Sequence, residues 1–294
     1  MINFMKFRNL YFLISGIFLL ASILSLIFWG LRPAIDFTGG ALLEVTIENP
    51  EKIIATDDME TFVSEVSDVK INSIQSVSDT QNYILKLNNI DEAKKTEIIS
   101  KLEEQYQTVT EIRFETVGPT LGKELLVKTA AAILIAAALI LLYVAYQFKS
   151  RIYGMSAILA MLHDTLILVG SFAIFGRLAG VEIDTLFVTA VLTTLSFSVH
   201  DTIVVFDRIR ESLKQSPNSK PVDLVNKAVT GTLSRSINNS MTIIFMLTAL
   251  SLLGGISIKW FSVALLVGTV TGTYSSTFVA VPLLLVFLRN KKTF

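Results

Sequence analysis

Six runs of apolar residues, each long enough to cross about 30 Å of hydrocarbon as a helix, constrain this 294-residue chain more than any other feature. They are Tyr11 to Phe28, Leu125 to Phe148, Ile152 to Phe175, Ile183 to Phe206, Ile237 to Gly255 and Trp260 to Leu288, spans one to six in chain order. With 52% of its residues hydrophobic and 17% charged, a soluble surface would be too apolar to stay dispersed, so lipid is the solvent expected. The first run follows Lys6 and Arg8, is longer than a signal core and lacks a small-x-small cleavage site, which makes it a retained anchor. Pro282, near the end of the long sixth run, is expected to kink or terminate that helix.

Orientation follows from lysine and arginine, because short loops rich in them stay in the cytoplasm. Lys6 and Arg8, Lys149 and Arg151, then Arg208, Arg210, Lys214, Lys220 and Lys227, and finally Arg289, Lys291 and Lys292 fall on one side when spans alternate. The opposite short loops hold only Arg177 and Lys259. Both termini are therefore expected inside the plasma membrane, with residues 31–123 outside. Residues 1–30 carry the N-terminus and span one, and 124–294 carry spans two to six with a cytoplasmic loop at 207–235.

The outer region has a different periodicity. Ala41 to Ile47, Ile71 to Val77, Tyr83 to Leu87 and Val109 to Thr116 read as strands, and Asp57 to Val69 and Asp91 to Tyr106 as helices, with Thr56 and Asp91 as capping residues. The order βαββαβ is that of a ferredoxin-like split-βαβ sandwich. The fold class expected is thus a membrane all-α six-helix bundle with an inserted α+β extracytoplasmic domain. In the loop after span four, Gln215 to Ser219 breaks the chain, and Leu224, Val225, Ala228, Val229 and Leu233 recur at helical spacing as a separate interfacial helix. That helix is either an ordinary amphipathic connector or a regulatory element.

Ionisable groups inside spans cost about 2.5 to 3.5 kcal/mol each on insertion scales, so they need a reason to be there. Asp164 follows His163 in span three, Asp201 follows His200 in span four, and Arg235 opens span five. Thr194, Ser198 and Asp201 share one helical face, as do Arg235, Asn238, Asn239 and Thr242. Two such stripes facing each other would neutralise both, and protonating Asp201 would then break an Asp201–Arg235 pair. A static ion pair, or an Arg235 that reaches the headgroups by itself, are the alternatives.

Other chemistries find little support. The two His-Asp dipeptides, His163-Asp164 and His200-Asp201, suggest metal hydrolysis, but no further ligand set accompanies these two histidines, and helix-to-helix hydrogen bonding or proton handling is the role expected of them. Cysteine is absent, which removes thiolate catalysis, and no Gly-x-x-x-x-Gly-Lys-Ser/Thr phosphate loop occurs. Zero net charge gives no reason to expect nucleic acid. Gly268, Gly272 and Ser276 form a small-residue ridge on span six, suited to packing within the chain or to a subunit interface.

Four stretches together resemble the SecF family of bacterial protein-translocase subunits: Ala34 to Gly40 (AIDFTGG), Val117 to Leu125 (VGPTLGKEL), His200 to Glu211 (HDTIVVFDRIRE) and Thr232 to Asn238 (TLSRSIN). The resemblance implies no enzyme and no cofactor. It implies an accessory subunit that uses the proton-motive force, rather than ATP, to draw secreted polypeptides outward after SecA. SecD would be its partner half on the resistance-nodulation-division plan, with the SecYEG channel, YajC, preprotein substrates and membrane lipids as further associates. By motif, the family's membrane aspartate falls on Asp201 and its conserved arginine on Arg235, with Asp164 and His200 as further members of the proton pathway. His200 stands where the family often has Asn, and Leu31-Arg-Pro33 replaces a more usual approach to the Ile-Asp-Phe motif. Asp36, Gly39, Gly40, Gly118, Pro119 and Gly122 would couple the spans to the outer domain. A half-size exporter of small molecules or lipids, or a scaffold that transports nothing, are the competing readings.

Overall fold

The computed structural model describes residues 3–48, 56–67, 69–76, 81–106, 108–148, 150–216 and 218–290. Lys149, Lys291 and Lys292 of the basic loops, Pro217 of the connector and Val77 of an expected strand lie outside them. In chain order the elements are α1 (Arg8–Phe28), α2 (Ile35–Thr38), β1 (Gly40–Glu48), α3 (Thr56–Ser67), β2 (Ile71–Ser76), β3 (Asn82–Leu87), α4 (Glu92–Tyr106) and β4 (Thr108–Val117), then α5 (Pro119–Phe148), α6 (Arg151–Ala179), α7 (Thr185–Gln215), α8 (Pro221–Leu253), α9 (Ile256–Ser275) and α10 (Val281–Asn290). A 3-10 turn, Phe4–Phe7, precedes α1, and a π turn, Ser276–Ala280, joins α9 to α10. The described residues contain six helices long and apolar enough to cross a membrane, and they divide into two compact units, Pro33–Ala130 and Met1–Arg32 with Ala131–Phe294.

The inserted unit is an antiparallel four-stranded sheet in the order β2-β3-β1-β4. Alternation dictates its core: Ala41, Leu43, Val45 and Ile47 of β1 and Tyr83, Leu85 and Leu87 of β3 point to one face. There they meet Met59 and Val63 of α3 and Ile98 and Leu102 of α4. Glu44 and Lys86 belong to the opposite face of the same strands. Asp91 caps α4, its carboxylate accepting the Lys94 N–H at 2.8 Å, whereas α3 begins at Thr56 itself. Asp91→Ala should cost about 1 kcal/mol and speed hydrogen exchange at Lys94 without altering exchange in β1.

In the helical unit, α1 and α6 approach closely because both carry small residues at the crossing. Ser25 donates its hydroxyl to the Gly170 carbonyl at 2.9 Å, and a methyl group added at Gly170 would overlap the Ser22 backbone. Asp184 caps α7 by accepting the Phe187 N–H at 2.7 Å, and Gly180 ends α6 in the left-handed conformation (φ 65°).

Two expectations are corrected. The separate interfacial helix does not exist, since residues 221–253 form one continuous helix. Pro221 starts that helix in its first turn, where its missing N–H costs nothing, and Gly231 is the only glycine or proline between it and Gly254. Val225, Ala228 and Val229 are buried in the bundle core, and Asn226 accepts the Met5 N–H at 3.1 Å, so the N-terminal turn packs against this helix. The second correction concerns Pro282, which was expected to kink or terminate its helix and does not terminate it, since α10 runs on to Asn290. A wide π turn, Ser276–Ala280, lies one residue before the proline, whose ring removes a backbone N–H from the helical pattern.

Candidate functional site

Asp164, midway along α6, is 1% exposed and carries the densest polar contacts in the helical unit. One carboxylate oxygen lies 2.8 Å from His163 Nδ1, and the other accepts the hydroxyls of Ser198 on α7 at 2.6 Å and Ser275 on α9 at 2.5 Å. Three helices are thereby tied to one carboxylate. Serine is the side chain that permits this, being short enough to sit at a close helix contact while still offering a donor. Ser275 is the last residue before the π turn, so the place where the helix widens is also where it meets the acid.

Close packing aligns α9 with α7. A methyl group added at Gly268 would overlap the Thr194 side chain, and one at Gly272 would rest against Ser198 and Phe197. The ridge on span six is therefore used for packing within the chain. Thr194 is buried, and its hydroxyl bonds back to the Ala190 carbonyl at 2.8 Å, leaving its body to fill the contact.

Asp201 follows Ser198 by one turn and is 4% exposed. Its Oδ2 meets no hydrogen-bond partner among the described residues. The Asp201–Arg235 pair is not formed. Arg235 is exposed and makes no ion pair among the described residues, and Asn238, Asn239 and Thr242 are exposed beside it. The reason lies in which side of α8 packs inward: Thr232, Ser236 and Ser240 do, and Ser240 accepts the Thr273 hydroxyl of α9 at 2.7 Å. Those residues stand about a third of a turn from the Arg235 stripe. His200 is likewise on the exposed side of α7.

Within this chain, then, α8 packs inward with its hydroxyl face, and the expected facing of the Arg235 stripe onto the Asp201 stripe is not seen. His163 entered the sequence reading as half of a His-Asp dipeptide and Ser275 not at all, and both contact Asp164 directly. Among the described residues no three His, Cys, Asp or Glu side chains converge as metal ligands. The arrangement offers one carboxylate held by donors, one imidazole and one buried carboxyl with an open oxygen. Such groups can hold and pass protons.

The coupling motifs converge in the inserted unit. Gly39 (φ 75°) and Gly40 (φ 138°) follow α2, and Gly40 pairs with Val117 across the sheet. A side chain at Gly39 would strike the Pro119 backbone, and one at Gly122 would strike the backbones of Gly39 and Phe37. Chain leaving span one and chain entering span two therefore pack backbone on backbone. Asp36 lies in α2 at this junction, while Gly118 has open space where a side chain would be.

Residues 97–290 match the family model described as the C-terminal region of the protein export membrane proteins SecD and SecF. A protein translocase subunit SecF from Thermobaculum terrenum is 40% identical over 99% of this chain and 95% of its own length. A SecF from Anaerolinea thermophila is 36% identical over 98% and 94%. Among solved structures, SecDF from Thermus thermophilus, a translocon-associated membrane protein, superposes with a TM-score of 0.85 at 30% identity. That match covers 98% of this chain and 39% of the SecDF chain.

Proposed function

We propose, because the chain belongs to the SecF branch of the SecD/SecF family of protein export membrane proteins, that it couples proton flow to the outward movement of secreted polypeptides. It is a multi-pass accessory subunit of the Sec translocase. In our reading SecD supplies the other half of the proton site, and SecYEG, SecA-driven preproteins and YajC complete the surroundings. Both termini face the cytoplasm of a bacterial plasma membrane, on the arginine and lysine bias of the loops. The α+β unit then lies outside, and its element order and sheet order support a ferredoxin-like sandwich.

One observation carries this reading. Arg235, Asn238, Asn239 and Thr242 form an exposed polar stripe on a helix long and apolar enough to cross a membrane, while the buried Asp201 keeps an open oxygen. A guanidinium left in hydrocarbon is costly, so a second protein that covers the stripe with an acid would relieve it. The superposed SecDF chain is more than twice as long, which accords with a partner half beside this one. Proton uptake and release at Asp201 and Asp164, with Arg235 as a fixed positive charge, would then alter the packing of α7 to α10. The Gly39–Pro119–Gly122 junction would carry that motion to the α+β unit.

Since the chain has no cysteine, Asn239→Cys gives a single reactive site. In native membranes it should cross-link to SecD through a short bifunctional thiol reagent, and the cross-link should arrest gradient-driven export. Recovery of only uncross-linked protein, or of a cross-linked complex that still exports, would argue against a covered stripe.

A further inference from the structure

We infer that His163 Nε2 is the atom through which the buried Asp164 cluster takes up and releases a proton. The inference rests on the proton-coupled reading above and assigns it a residue that neither the motifs nor the polar stripes supplied.

The donors around Asp164 decide the point. Oδ2 already accepts two serine hydroxyls, at 2.6 and 2.5 Å, and Oδ1 faces His163 Nδ1 at 2.8 Å. A proton placed on Oδ2 would displace a serine and release α7 or α9. With Nδ1–H donating to an ionised carboxylate, the neutral imidazole keeps a bare lone pair on Nε2. That nitrogen is buried and meets no partner among the described residues, in a side chain 4% exposed. A proton that joins it leaves all three hydrogen bonds of the cluster in place.

The charge balance favours the same atom. Among the buried described residues of the helical unit, His163, Asp164 and Asp201 are those able to carry charge near neutral pH. Facing His163 and Asp164, α7 brings Ser198 and, one turn on, Asp201, while α9 brings Ser275. With the imidazole neutral, the cluster holds an uncompensated negative charge in hydrocarbon. A proton delivered by water to Nε2 makes an imidazolium–carboxylate pair with no net charge and leaves all three hydrogen bonds in place. It departs by the same atom, and no electrons change hands. Ser198, which donates to Asp164, precedes Asp201 by about one turn of α7.

The test replaces His163 with Asn, whose amide N–H stands where Nδ1 stood, while Nε2 is deleted. His163→Asn and Asp201→Asn are each assembled with SecD, and gradient-driven export of a preprotein is measured in membrane vesicles. His163→Asn should lose the gradient-dependent part of export while recovering normally with SecD. Wild-type export by His163→Asn alongside a defective Asp201→Asn would overturn the inference and leave the proton reading standing. Wild-type export by Asp201→Asn would remove the proton reading itself. Should His163→Asn fail to assemble, nitrogen NMR of the imidazole-labelled complex decides, with His200→Asn leaving one histidine in this chain. The His163 signal should show protonated Nδ1 and bare Nε2 at high pH, gaining the second proton as pH falls. A proton on Nε2 alone, or no second protonation over the pH range in which the gradient drives export, would refute the assignment.

Discussion

Replacing Asp201 with Asn will abolish the gradient-driven phase of polypeptide export while leaving the protein inserted and associated with SecD. Asn has nearly the volume of Asp, so the packing around a side chain only 4% exposed is kept. What disappears is a group able to gain and lose a proton. The open oxygen at this position has no partner among the described residues, so its replacement breaks no recorded hydrogen bond there. The loss should therefore be functional rather than structural. A charge moved through the field gains about 2.3 kcal/mol per 100 mV, and with no acceptor at this site that work cannot be drawn. Export in vesicles, with and without an imposed gradient, should differ for the parent and coincide for the variant. A variant that still responds to the gradient would show that the acid takes no part.

Much of the architecture could be read from the residues because it follows from local rules. Spans declare themselves by length and apolarity, and the strands of the α+β unit by alternation. Asp91 was recognisable because a carboxylate one residue before a helix answers an orphan N–H. What escaped has a common physical cause. A helical wheel says which residues share a face, but not which face another helix covers. On α8 the stripe at 235, 238, 239 and 242 and the stripe at 232, 236 and 240 are both polar. Packing buried the second, since small hydroxyl side chains allow close approach where a guanidinium does not.

Continuity of α8 was also beyond composition alone. A change from polar to apolar residues resembles a boundary, but without a strong breaker between 221 and 253 the backbone has no reason to stop. Asp164 was visible as a membrane acid, yet its partners come from two other helices, and only their packing could bring Ser198 and Ser275 to it. The π turn likewise had no mark in the sequence beyond the proline that follows it.

That dependence of the site on packing leads to the second large effect, at Gly268. An added methyl group would overlap Oγ1, Cγ2 and Cβ of Thr194, a short buried side chain whose hydroxyl is engaged with its own helix. Neither partner can yield without moving a backbone, so Gly268→Ala should push α9 from α7 and destabilise the bundle by about 1–3 kcal/mol. Ser275 lies two turns further along the same helix, and its bond to Asp164 at 2.5 Å leaves little slack. The Asp164 contact should therefore loosen together with the helix pair. Gly154→Ala on α6, where a methyl group meets nothing within 4 Å, is the matched control and should be neutral or slightly stabilising. Thermal unfolding in detergent should separate the two, and thiol labelling of Ser275→Cys should be faster in the Gly268→Ala background. Equal melting and equal labelling would mean that α9 is free to shift at this contact, and that the carboxylate is not held by the register of Gly268 on Thr194.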